Sequence, residues 1–523
     1  MLNETHDYFN ELLRKNQSKP ERIVEDLLNK FSDIDNPTAD MTGIFSLCKK
    51  LGIRLVAIDY KDNVSQYIER GKGKKSYIFL NSTSNYRALR FDAATLLYCA
   101  LHSKHDGKKV VTKHKYNNEL HKAKKFAATL LMPLKKLKSV IYEKDDEGNY
   151  KYLVKVGNEF VIPFKNIHYI ADRFGVEFAT CAKRILHTEV VKIRRIQDMD
   201  ELKKRLQGPQ ASEATRKELI PDWAKHDYKL KCCLINNMHF PNIDTANEVV
   251  KEKLRVESIK NDCVIEGVVS STKGMDKFLS KYRANPEAMK EELYKLSVNQ
   301  RIMLGHYDTI RRLEKIPFTR WIFNDLHKGI FEHAVFLPGE AEWLEDPKNF
   351  RKEVDVYLDF VPGAYRHSQN IINGASYKTD SPTAIWSVMD NLYYDMKDLL
   401  DNKDKYTNLE YINEVNYIAD RFIVCHPFED GNGRVSRLLM NYLLIHKGLP
   451  PFFINASKKK GEYIEILNEL SDQTRYSFKD TIDFSKLNSL VIDGLIETEG
   501  VFFSAKAMID DPEKTIEELK QKK

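Results

Sequence analysis

Cysteine is scarce and poorly placed for crosslinking: the 523 residues hold seven, an odd total with no CxxC pair. That excludes a disulfide framework and points to a reducing, cytoplasmic setting, with adjacent Cys232 and Cys233 incidental. Long apolar runs are missing too. Residues 1–25 alternate charged and apolar side chains with no continuous apolar core, which argues against a secretory signal. The run at 93–101 is far too short to span a bilayer, so no membrane association is expected. Neither sign of charge dominates: 83 Lys and Arg face 76 Asp and Glu, a formal net charge of +7 and a pI of about 8.7. So mild a balance requires no nucleic-acid partner. The basic glycine stretch at 70–75 lacks the GxxxxGK[ST] spacing and reads as a hairpin turn between strands near 64–69 and 76–81. A hydrophobic content of 42% beside 30% charge describes ordinary globular material, and the length exceeds what one core can organise, so two or three domains are expected.

Chemistry is concentrated in twelve positions, His426-Pro427-Phe428-Glu429-Asp430-Gly431-Asn432-Gly433-Arg434-Val435-Ser436-Arg437. Residues 408–425 read as a helix leading into this stretch. The apolar run 438–445 reads as a buried helix leading out, closed at Lys447-Gly448. Gly431 and Gly433 allow positive φ and close approach, so that backbone N–H groups at the following helix start converge on an anion. Arg434 and Arg437, three apart on one helical face, suit a clamp on one phosphate tail. Asp430 is a hard oxygen donor suited to Mg²⁺ among phosphates. His426 remains as a proton acceptor, mostly neutral near pH 7 at the ordinary pKa of about 6.5.

This string resembles, position for position, the HPFx[D/E]GNGRxxR signature of the Fic family, whose members mostly transfer AMP from ATP to a protein hydroxyl. The resemblance implies His426 as general base, Phe428 as a core anchor and Asp430 as the Mg²⁺ ligand. Gly431, Asn432 and Gly433 would form the pocket for the α and β phosphates, with Arg434 and Arg437 holding the outer ones. ATP is then a substrate, and the partner is a protein whose identity the sequence does not give.

Upstream, the run 256–267 resembles the family's inhibitory helix, [S/T]xxxE[G/N]. Glu266-Gly267 match its acidic end, and Asp262 stands where Ser or Thr is usual. The resemblance implies that Glu266 reaches Arg437 and blocks productive ATP binding. Residues 321–327 resemble the helix that opens the Fic core, and 286–315 read as one long amphipathic helix. Extended segments around 362–366 and 371–375 resemble the β-hairpin flap that registers a target by strand pairing, with Ile372 and Asn373 at its edge. Residues 450–454 and Tyr463 suit the adenine side of the pocket or simple core packing.

In the first half, residues 44–51 read as a helix ended by Gly52, and 53–58 as a strand. The runs 90–102, 125–133 and 164–176 resemble, in order and spacing, the ImmA/IrrE zinc metallopeptidase-like domains. Thr95, Leu96 and Cys99 stand where that family carries HExxH, and Lys122 replaces its acidic ligand. The fold without the chemistry is therefore expected: no zinc, and a role in binding a ligand or protein. His102, His105, His114 and His121 read as solvated histidines rather than a replacement site.

The expected organisation is an α+β metallopeptidase-like domain over 1–205, a charged linker over 206–229, a mainly helical Fic domain with its inhibitory helix over 230–485, and a helical element or tail over 486–523. The function expected from the resemblance is AMP transfer to a Ser, Thr or Tyr hydroxyl, self-modification included. Removal of AMP by the same site, or a sensing role in which the first domain gates it, stays open.

Overall fold

A computed structural model describes residues 11, 19–31, 43–58, 66–70, 76–102, 118–240, 248–268, 274–290, 293–334, 360–370, 372, 377–477 and 479–502. The chain divides into two units, Met1–His239 and Phe240–Phe502, with residues 503–523 outside the described range.

The first unit is α+β. Helices α1 (Pro20–Lys30) and α2 (Ile44–Lys50) precede strands β1 (Ile53–Ile58), β2 (Gln66–Arg70) and β3 (Ser76–Asn81). The sheet order is β1-β3-β2: β1 runs parallel to β3, and β2 pairs with it antiparallel, as expected of a hairpin. Tyr77, Ile78, Phe79 and Leu80 of the central strand are all buried, so both its faces are covered, which explains the unbroken apolar run there. Helices α3 (Tyr86–His102) and α4 (Asn118–Leu131) pack on each other, and α3 lies on the sheet. Thr95, Leu96 and Cys99 of α3 are buried, and the Thr95 hydroxyl donates to the Phe91 carbonyl at 2.8 Å. Lys122 and His121 are exposed on α4. The side chain of His102, and all of His105 and His114, lie outside the described residues.

Helix α5 (Leu134–Ile141) leads to a second small sheet, β4 (Val154–Val156), β5 (Glu159–Ile162) and β6 (Lys192–Ile193), interleaved with α6 (Ile167–Arg173) and α7 (Phe178–Thr188). Then come α8 (Met199–Leu206), α9 (Glu213–Leu219) and α10 (Trp223–Asn237). Here the structure corrects the expected linker. Residues 206–229 are mostly helical and bound into the first unit: Arg87 pairs with Asp172 at 2.6 Å and with Asp227 at 3.0 Å, and Arg216 reaches Asp227 at 3.3 Å. His168 Nε2 donates to the Gln210 carbonyl at 2.9 Å. Charge that reads as solvated linker in sequence is consumed in buried pairs, which must stay intact because a lone buried charge is costly.

The second unit has no strand among its described residues, and its longer helices are α11 (Glu248–Ile265), α12 (Met275–Ala284), α13 (Val298–Arg312), α14 (Ile322–Ile330), α15 (Ile385–Asp401), α16 (Asn408–Cys425), α17 (Asn432–Lys447), α18 (Ala456–Tyr476) and α19 (Ser485–Phe502). The long helix expected over 286–315 is broken. A separate short helix of five residues covers Pro286–Lys290, and α13 starts afresh from Ser297, whose side chain and Gln300 form a capping box. A second capping box, Thr407 with Glu410, opens α16, and Gly448 at φ 87° closes α17. Helix α16 packs against α15, α17, α18 and α19, while α17 also lies on α14. Residues of α17 from Val435 to Leu444 are all buried, so this is the central helix. Ile259 and Cys263 of α11 join Leu279 and Tyr282 of α12 and Leu304 and Tyr307 of α13 in one cluster, which fixes α11 in place. At roughly 1.5–3 kcal/mol for each fully buried large side chain, that anchor is substantial. Helix α19 is no tail: Val491, Ile492 and Leu495 are buried, and it packs on α16 and α18, so the unit extends past the expected end at 485. No helix among the described residues is long and apolar enough to cross a membrane.

Candidate active site

His426 is delivered by α16 as its C-cap, in the left-handed region at φ 51° and ψ 57°, with its N–H bonded to the Phe422 carbonyl at 2.9 Å. A non-glycine residue there costs on the order of 1 kcal/mol, so something must hold it. Arg366, 2% exposed, does so. Its Nε donates to the His426 carbonyl at 2.6 Å, Nη1 to Ser368 O at 2.6 Å, and Nη2 to Asp380 O at 2.6 Å and Cys425 O at 3.1 Å. Its backbone N–H adds a bond to the Pro427 carbonyl at 2.9 Å. The His426 ring has Nδ1 3.3 Å from the Ile423 carbonyl. A carbonyl oxygen only accepts, so the proton lies on Nδ1 and the lone pair on Nε2. Burial pushes the imidazole down to about 4, leaving it neutral at physiological pH.

The loop beyond is built on Asn432 and His327. Asn432 spends its amide on the chain: Oδ1 accepts from the Phe428 N–H at 3.0 Å, and Nδ2 donates to the Phe428 carbonyl at 2.9 Å. Its side chain therefore braces the turn and is not left for the phosphate pocket expected of it. His327, buried on α14, stacks on Phe428 at 3.9 Å. Its Nδ1 accepts the Gly363 N–H at 2.8 Å, so Nε2 carries the proton and donates to the Asp430 carbonyl at 3.0 Å. Burial, with help from Arg434, lowers this ring to about 4 as well, which keeps the tautomer that both bonds need. Gly431 N-caps α17 at φ 80°, and a β-carbon there would fall 2.8 Å from the Phe331 ring.

Gly433, in the first turn of α17, is where the second unit's acidic helix arrives. A β-carbon on Gly433 would lie 2.4 Å from Glu266 Oε1. The Glu266 carboxylate thus sits at the positive end of the α17 dipole, where a phosphate would be welcome. It also accepts from Arg437 Nη2 at 2.7 Å. Asp262, one turn earlier on α11, accepts from Arg437 Nε at 2.6 Å. Burial alone would push the Arg437 guanidinium down, but these two carboxylates override it and hold the group well above its ordinary value. Arg434 bonds to Asp430 Oδ2 at 3.0 Å and lies over the Phe331 ring at 5.0 Å. Its Nε and Nη1 are buried with no hydrogen-bond partner, donors left for an anion.

Asp430 is about half exposed, with Oδ1 taking the Gly431 N–H at 2.6 Å and Oδ2 taking Arg434. A single accessible carboxylate fits Mg²⁺ carried in with phosphates, because that ion keeps most of its shell from water and nucleotide. Tyr463 is buried and hydrogen-bonded to Arg437, so it borders the guanidinium. Pro451, Phe452 and Phe453 line a cavity together with Leu254 and Ser258 of α11. At the expected flap, Ile372 is half-buried irregular chain and Asn373 lies outside the described residues; no strand occurs among the described residues of 360–380. Sequence reasoning missed Arg366 and the bracket made by His327. Neither belongs to a short motif, and the contacts of His327 with Gly363 and Asp430 and of Arg366 with His426 join groups 36 to 103 residues apart.

Residues 317–444, from just before α14 into α17, match the Fic/DOC family. The site loop lies inside that stretch, while Asp262 and Glu266 lie outside it. A probable protein adenylyltransferase of Aquifex aeolicus is 31% identical over 153 residues, covering 27% of this chain and 44% of that protein. The protein adenylyltransferase Fic of Drosophila persimilis is 39% identical over 70 residues, 13% of this chain and 14% of that protein. The chain thus spans less than half the length of either curated relative. Among solved structures, Caenorhabditis elegans Fic-1 aligns at 14% identity with a TM-score of 0.35, over 66% of this chain and 88% of that one.

Proposed function

We propose that the second unit is a protein adenylyltransferase held in check by Glu266. A Ser, Thr or Tyr hydroxyl of a target protein, or of the chain itself, attacks the α-phosphate of ATP. The new bond is O–P, the bond to the β-phosphate breaks, and pyrophosphate leaves. His426 Nε2 takes the hydroxyl proton. The unpartnered donors of Arg434 and the N–H groups of the first turn of α17 hold the phosphates, with Arg437 for the outer ones once Glu266 has gone. Asp430 would hold Mg²⁺, whose contribution is to offset phosphate charge. One observation carries the reading: a carboxylate is seated on Gly433 and Arg437, in an anion cradle beside a histidine whose Nε2 is aprotic. The test compares α- and γ-labelled ATP with Glu266→Gly. Label is expected in protein from the α position alone, and is expected to be lost when His426→Ala is added. Label from the γ position would sink the reading.

We further infer that the first unit keeps a metallopeptidase-like fold without its chemistry and serves in binding a ligand or protein. Support comes from Thr95, Leu96 and Cys99, buried on α3 beside a mixed sheet. A cytoplasmic home accords with seven cysteines that form no disulfide.

A further inference from the structure

Two carboxylates, not one, sit on Arg437, and they are held differently. The Glu266 side chain is 20% exposed and lies just past the end of α11, next to Gly267 at φ 72°. Asp262 is 5% exposed and inside the helix, with Ile259 and Cys263 on either side of it locked into the α11–α13 cluster. On its far side stands His306 of α13, fully buried, with Nε2 3.5 Å from Asp262 Oδ2. To leave Arg437, Glu266 needs only a rotation of its own partly exposed side chain at the helix end. Asp262 can do so only if α11 itself leaves.

We propose that Asp262 is a positioning residue that sets how strongly the site favours nucleotides with long phosphate tails: a fixed internal anion on Arg437, it competes with the terminal phosphates even after Glu266 has withdrawn. The inference rests on the reading that Arg437 takes the outer phosphates. Arg437 is 4% exposed, and so buried a cation needs a counter-charge. With both carboxylates in place Arg437 faces two negative charges while Arg434 is paired with Asp430, so the formal charge of these five groups is −1. When Glu266 leaves, Asp262 still neutralises Arg437, fixes its Nε and leaves only the Nη edge for a phosphate. An incoming tail then meets an arginine already compensated. Without Asp262 the buried guanidinium would stay unpaired until a terminal phosphate arrived, so the tail would gain far more. AMP, which has no outer phosphates, would gain nothing.

The experiment measures binding of ATP, ADP and AMP by calorimetry to the full chain carrying Glu266→Gly and His426→Ala, which prevents turnover. The same titrations are run after adding Asp262→Asn or Asp262→Ser. ATP is expected to tighten by roughly tenfold or more and ADP by less, with AMP unchanged. Equal weakening of all three, as a merely structural role would give, overturns the proposal, and so does an unchanged ratio of ATP to AMP affinity. Each variant is also melted with and without ATP. A fold that fails alone but is restored by ATP supports the proposal. A fold that fails even in saturating ATP overturns it, since Asp262 would then serve the fold alone. Should the Glu266→Gly, His426→Ala protein bind no nucleotide at all, the reading of the site itself falls, and this inference falls with it.

Discussion

His426 is neutral because it is buried, and this makes its pH behaviour unlike that of a surface histidine. The imidazole lies at about 4 in the fold, against about 6.5 in an unfolded chain. With the folded value depressed, the unfolded state binds the extra proton between those values. Its contribution to stability is therefore whole above the unfolded value and is lost as pH falls toward 4. Catalysis should follow the same group. For Glu266→Gly, kcat/KM should be flat from about pH 8 to about pH 5 and fall below that with a midpoint near the free-enzyme value. A midpoint near 6.5 would contradict the tautomer and burial argued for this ring.

Asn432 and Gly433 make separable predictions at the same scale. Asn432→Ala strands the Phe428 N–H in a buried turn, worth about 1–3 kcal/mol when unsatisfied, and leaves the Phe428 carbonyl only the longer bond from Asn370 Nδ2 at 3.3 Å. Chemical denaturation should show a loss of that order together with lost activity; lost activity at unchanged stability would mean the side chain serves phosphate instead. Gly433→Ala puts a methyl where the Glu266 carboxylate now sits. Transfer should be absent and should stay absent when Glu266→Gly is added, because the cradle itself is filled. Activity in that double variant would show that the cradle lies elsewhere. The signature was legible in the sequence because its chemistry is crowded into twelve positions. The work of His327 and Arg366 was not, because both act on backbone atoms that only the fold brings near, and Asn432, whose partner Phe428 is four residues away, read as a ligand group of the signature rather than a brace of its turn.

Among the elements, α16 was legible to the residue, and so was the close of α17 at Gly448; the start of α17 was not, because the helix begins at Asn432 inside the polar signature, ahead of the apolar run at 438–445 that marked it. The break in 286–315 was hidden, because its apolar spacing continues across Ser297 while the capping box restarts the helix. The flap is the opposite case: its segments read as extended chain, yet the described residues there form no strand, and Arg366 uses the stretch to hold His426. Arg366→Ala removes four side-chain bonds to carbonyls and leaves His426 in a strained turn without support. It should cost roughly 2 kcal/mol or more of stability, read by chemical denaturation, and slow transfer by Glu266→Gly at saturating ATP. A silent Arg366→Ala would mean that the left-handed turn holds itself.

For the whole molecule, the division falls at 239/240 and not across 206–229. Composition pointed to a linker because it counts charges without their partners, and Asp227 meets Arg87 and Arg216 only in the fold. A chain begun at residue 230 would carry half of α10 with Leu230, Leu234 and Ile235 stripped of their packing, whereas one begun at 240 would not. The longer should aggregate and the shorter melt cooperatively; the reverse would restore the linker.

The central claim is that the Glu266 carboxylate holds the place of a nucleotide phosphate on Gly433 and Arg437. Its most direct test is the rate of protein labelling from α-labelled ATP with Mg²⁺, compared between the full chain and the same chain with Glu266→Gly. Loss of an ion pair that competes with substrate predicts at least a roughly tenfold faster rate in the variant, since each 1.4 kcal/mol of relief is about a factor of ten. Equal rates would contradict the claim. So would a wild-type chain that strips AMP from modified protein while Glu266→Gly does not, because Glu266 would then be required by the site and not a brake upon it.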